Sequence, residues 1–144
     1  MLHHTLKYGI CPDELVRVLG LAMDRHRHTL LAVPGDMRNL NVPLEKLLGA
    51  MGAKRLFNEH EVTVVRHGGE RTVHLVSLCS CSSFQSGSIV LPWLPPDSVA
   101  KARDRYPGAD TYFIPSDGPG APYRAPGRDE LSRYLATYPS SKAI

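Results

Sequence analysis

One strand-to-helix switch near the middle of the chain constrains its fold more than any other feature. Thr29-Leu30-Leu31-Ala32-Val33 is an apolar run of strand length that breaks at Pro34-Gly35-Asp36. From Val42 to Met51, the apolar residues Leu44, Leu47, Leu48 and Met51 recur at helical spacing. Pro43 sits in the first turn of that helix and Gly49 or Gly52 near its end. A basic-apolar segment and a short acidic turn then lead to Val62.

The rest of the chain alternates in the same manner. Pro12-Asp13-Glu14 opens a helical turn. The run from Leu15 to Met23 is apolar but for Arg17 and Gly20 and reads as helix or buried strand; a strand forming a hairpin with Thr29 to Val33 is the preferred reading. Val62 to Val65 and Val73 to Leu78 alternate around His67-Gly68-Gly69-Glu70 and predict a second hairpin. Strands are expected at Ser88 to Leu94 and Thr111 to Ile114, and helices at Ser98 to Arg105 and Arg128 to Tyr138. The expected fold is α+β: a single domain over 1–144 with a mixed, curled sheet flanked by helices, a core over 12–138 and a frayed tail at 139–144.

At 144 residues the chain suits one core rather than two. A formal charge of +3 permits an anionic partner such as RNA without demanding one. No window approaches the roughly 18 apolar residues of a membrane span, and the start, MLHHTLKYG, lacks the apolar stretch of a signal peptide. Three cysteines argue against a secreted disulfide framework and for the cytoplasm.

The strand, the Pro34-Gly35-Asp36 turn, the Leu44 helix, the Gly52-Ala53-Lys54-Arg55 segment and the Glu59-His60-Glu61-Val62 turn together resemble the YbaK/prolyl-tRNA-synthetase-associated domain family. Pro12 to Leu19, the Ser82 to Gly87 loop, the strand Ile89 to Trp93, Asp110 to Asp117 and Arg124 to Leu135 follow that family's order over 12–138. The resemblance implies a hydrolase that removes a mischarged small amino acid from tRNA, with the tRNA acceptor end as partner and no metal or cofactor. It places the family's lysine at Arg17, which keeps the charge but not the geometry. It implies catalytic roles for Arg17 and Asp36, and substrate contacts for Ser82, Ser83, Phe84, Gly87, Ser116, Asp117 and Gly118. The family's glycine-rich substrate loop is replaced here by Cys79-Ser80-Cys81-Ser82-Ser83-Phe84.

Each of these residues also has a plainer reading. Arg17 suits a surface strand edge, Asp36 a turn cap, and Ser116 with Asp117 a simple turn. Cys79 and Cys81 lie too close for usual zinc spacing and read as small buried side chains. Arg25 to His28, Lys54, Arg55, Arg66 and Arg71 would make a basic face for an RNA backbone, or solvated turns. Trp93, Tyr112 and Phe113 read as core. Two further readings stay open: a catalytically inactive module that binds a nucleotide, an aminoacyl group or a protein partner, and an unrelated small α+β domain. A homodimer stays open as well.

Overall fold

The computed structural model of the chain describes residues 1–33, 37–78 and 86–144. Along these residues run β1 (Leu2–His4), α1 (Pro12–Arg25), β2 (His28–Ala32), a 3-10 turn (Met37–Leu40) and α2 (Asn41–Glu59). β3 (Glu61–Arg66), β4 (Gly69–Val76), β5 (Gly87–Pro92), α3 (Asp97–Arg105), β6 (Ala109–Ile114), α4 (Glu130–Thr137) and β7 (Lys142–Ala143) follow. The strands form one sheet in the order β3-β4-β2-β5-β6-β1-β7. Among the described residues β3 and β4 pair antiparallel and every other neighbouring pair is parallel. The expectation of an α+β domain with a mixed sheet flanked by helices therefore holds in general terms.

The central strands are apolar on both faces, and this decides the layering. In β2, Leu31 packs into one cluster while Leu30 and Ala32 pack into another. In β5, Val90 joins the first cluster, and Ile89 and Leu91 the second. In β6, Tyr112 and Ile114 face one way and Phe113 the other. Period-two side-chain direction means that such strands need cover on both sides. Helices α1 and α2 supply it on the first face through Leu15, Leu19, Leu44 and Leu56. Helices α3 and α4 supply it on the second through Val99, Ala102 and Tyr134.

Several local readings change. Leu15 to Met23 lies within helix α1, not in a strand: its buried residues Leu15, Val18, Leu19, Ala22 and Met23 recur at a helical period. Val16 and Leu21 lie between them and mask that stripe in the sequence. The helix expected at 42–51 continues to Glu59 through Gly49, whose φ of 78° and ψ of 164° only glycine adopts readily. The 62–78 hairpin forms as β3 and β4, and β4 also pairs with β2. The tail expected to fray instead adds a short strand, β7, beside β1.

Leu30 and Leu31 lie on opposite faces and are 1% and 0% exposed. Leu30→Ala and Leu31→Ala should each lower unfolding stability by about 2–5 kcal/mol in urea denaturation. A sheet with one solvated face would leave one of the two within about 0.5 kcal/mol of the parent.

Candidate functional site at the carboxyl edge of the sheet

In a parallel sheet covered by crossover helices, the chain leaves each strand at one common edge and the following helix begins there. Helix N-termini therefore gather at that edge with their unsatisfied N–H groups. A crevice opens where adjacent strands send their helices to opposite faces. Strands β2 and β5 are such a pair. They lie side by side, but β2 leads to α2 on the first face and β5 to α3 on the second.

Trp93, the chain's one tryptophan, stands at this point. It follows β5 directly and takes φ 59°, in the left-handed region. A non-glycine residue held there costs on the order of 1–3 kcal/mol. Its N–H still bonds Ile114 O at 2.9 Å, so the sheet continues one residue past the strand. An extended residue here would share the face of Ile89 and Leu91. The left-handed turn instead sends the indole into the opposite cluster. The side chain is 9% exposed, and its Nε1 is buried without a hydrogen-bond partner among the described residues.

The helix starts along the edge differ in charge. α1 carries Asp13 and Glu14 in its first turn, α3 carries Asp97, and α4 carries Glu130 behind an Asp129 cap. The run that opens α2 has no acid in either first turn, and Arg38 lies in its 3-10 turn. Acids near a helix start offset its positive end, and within the described first turns only this run carries none.

The described candidate residues are found as follows. Ser116, Asp117 and Gly118 follow β6 on the carboxyl edge. Arg17 is on the exposed side of α1 and bonds Glu14 Oε1 and, at 3.0 Å, the main-chain oxygen of Ile144. Ile144 N–H in turn bonds His4 O, which places Arg17 at the β1–β7 end of the same edge. Gly87 begins β5 and so lies at the opposite, amino edge, away from Asp117 and Arg17. Asp36, Ser82, Ser83 and Phe84 lie outside the described residues, as do Cys79 and Cys81. The residues expected to make a basic face do gather partly at the amino edge. There Asp24 holds Arg66 at 2.6 Å, Glu70 lies 3.7 Å from Arg27, and Asp110 binds His26 at 3.0 Å, so the surface is mixed in charge.

Asp117 is buried and fully engaged. Glu130 N–H donates to it at 2.6 Å, Arg124 Nε at 3.0 Å, and the Tyr123 hydroxyl also bonds it. Burial pushes its pKa up, but these donors outweigh burial and hold the carboxyl below its usual range. Burial raises Glu130, and the charge of Asp117 raises it further. Tyr8 reaches over from the β1–α1 loop and donates to Pro119 O at 2.8 Å. A Cβ on Gly118 would clash with the Tyr8 ring, so any larger residue there would have to displace that ring. Trp93, Arg38, Tyr8, Arg124 and Glu130 were not singled out as site residues by the sequence. For Trp93, the break at Pro95-Pro96 directly after a strand was the available signal.

Comparison with protein families, curated proteins and solved structures finds no match to this chain.

Because the folded Asp117 has a depressed pKa, its contribution to stability is complete above the unfolded value near 3.9 and is lost as pH falls through the folded value. Asp117→Asn should therefore destabilise the chain by roughly 1–3 kcal/mol at neutral pH. The difference from the parent should shrink in strong acid, as read from urea midpoints at the two pH values. An equal difference at both would show that charge is not what holds this loop.

Proposed function

We propose that the chain is a binding module for a nucleotide-class ligand, seated on the carboxyl edge where β2 and β5 part. The observation that carries this reading is Trp93: a strained backbone and an orphaned, buried indole N–H at the topological switch point. A buried donor without a partner costs about 1–3 kcal/mol, and a ligand acceptor would remove that penalty. The start of the α2 run, which carries no acid in its described first turns, favours the phosphate of such a ligand. The net charge of +3 favours the same sign of partner.

Ester hydrolysis draws less support from the same edge. Arg17 is already held by Glu14 and Ile144, and Asp117 by Arg124 and the Glu130 N–H. A general base or an oxyanion partner needs a lone pair or a donor free to meet the substrate. The 3′-terminal adenosine of a tRNA belongs to the proposed ligand class, so the tRNA acceptor end is one source of it. The free thiol of Cys11 supports the cytoplasm as the proposed compartment.

Trp93 is the sole indole and reports directly on the site. Titrating the chain with AMP, ADP, ATP and GTP should change its fluorescence saturably for at least one of them. By calorimetry, Trp93→Phe should bind that nucleotide about two- to tenfold more weakly, the worth of one hydrogen bond of about 0.5–1.5 kcal/mol. No saturable response to any of the four rules out the proposal. Acceleration of ester loss from tRNA carrying Ala, Ser, Cys or Pro would favour the hydrolase instead.

A further inference from the structure

The sheet ends at two edges, β3 and β7. β7 is only two residues long and carries Lys142, a common way of blunting an edge. β3 has six residues and pairs with β4 without a bulge, from Glu61 opposite His74 to Arg66 opposite Gly69. Leu75 N–H donates to His60 O at 2.9 Å, which sets the alternation along the ladder. Val62, Val64 and Arg66 exchange bonds with β4, and the N–H and C=O groups of Glu61, Thr63 and Val65 point away from the sheet. Val65 is 77% exposed.

On the helical side this edge borders a groove of about 460 Å³ between α2 and β3. Leu48, Met51, Val62 and Val64 line it together with polar Lys54, Arg55, Asn58, Glu59 and Thr63, and Met51 is 83% exposed. A long, flat, apolar edge of this kind is a template for another strand.

We infer that two copies of the chain join here, by antiparallel pairing of β3 with its symmetry copy about a two-fold axis perpendicular to the sheet. The charges favour a second copy in that orientation. β3 is entered through Glu59 and Glu61 and left through Arg66 and His67. Antiparallel pairing sets each acidic entry beside the other copy's basic exit, whereas a parallel arrangement would set like charges together. Both ends are partly neutralised within the chain: Asp24 holds Arg66 at 2.6 Å and lies 3.3 Å from His67, while Arg55 lies 3.5 Å from Glu59 and His74 3.7 Å from Glu61. The apolar middle of the strand therefore carries most of the burial. Centred on Thr63, the pairing sets Val62 opposite Val64 on the helical side, so the two grooves become one seam with an apolar centre and a polar rim. Such an interface is isologous and closes on itself, which stops the sheet from growing into a fibre.

Sedimentation velocity of the full chain, from low to high micromolar concentration, tests this. The parent should pass from monomer to dimer, and in the dimer the amides of Glu61, Thr63 and Val65 should exchange slowly with solvent. Val65→Lys places a charge on the edge, and Thr63→Pro removes an outward donor that the β4 ladder does not use. Each should weaken association about tenfold or more, with the far-ultraviolet circular dichroism unchanged. If Thr63→Pro disturbs the fold, Val65→Lys alone decides. A parent that stays monomeric throughout overturns the inference, as does a dimer that Val65→Lys leaves intact.

Discussion

Burial of the central strands on both faces is the constraint from which the rest of the structure follows. Leu30, Leu31, Ile89, Val90, Leu91, Tyr112 and Phe113 are all at most 1% exposed, and they alternate between two clusters. Neither face can be left to water, so helices must lie on both. Parallel neighbours can be joined only by crossovers, so each helix starts where its strand ends. The four helix N-termini thus share an edge as a consequence of where the apolar residues fall, before any requirement of function enters.

That edge concentrates both strain and charge. Trp93 is held in a left-handed turn because its indole packs in one layer while its chain departs toward the other. The buried carboxyls of Asp117 and Glu130 and the exposed Arg124 form an ionic cluster that ties the Pro- and Gly-rich loop after β6 to the start of α4. The two carboxyl groups are displaced in opposite directions because donors favour the charged form of one while burial and a neighbouring anion disfavour that of the other. Asp117 is therefore held by fixed hydrogen bonds, while Glu130 keeps one carboxyl oxygen buried without a hydrogen-bond partner among the described residues.

The two ends of the sheet contrast for a related reason. β7 lies at a short end that is closed by its own brevity and by Lys142. β3 stands outside the parallel core, joined to it only through the antiparallel ladder with β4, and presents an unprotected line of main-chain groups. The switch point between β2 and β5 and the free edge are thus separate products of the same topology.

Local grammar made much of the architecture readable. The period-two run at 62–65 and 73–78, the Pro-started helix near 98, and the strand at 111–114 all lie within or across elements that form. Alternation of polarity was enough in the hairpin, and flanking Pro and Gly marked the other two. It was not enough at Leu15 to Met23, where every second and third position is apolar and a helix and a strand write the same letters. The strand neighbours decided that segment, since only a helix lets Leu15, Val18, Leu19, Ala22 and Met23 cover a sheet together. The site was less legible still. Sequence order alone placed Gly87 with Asp117, yet they lie at opposite edges because β5 and β6 run parallel. Trp93 read as plain core, since an unpartnered N–H and a left-handed backbone are properties of a residue's surroundings. What the residues determined by themselves was the set of elements and their apolar faces, through short-range periodicity. Which strands became neighbours, which edge gathered the helix starts and which edge stayed open depended on contacts between residues far apart in the chain, and only the packed molecule decided these.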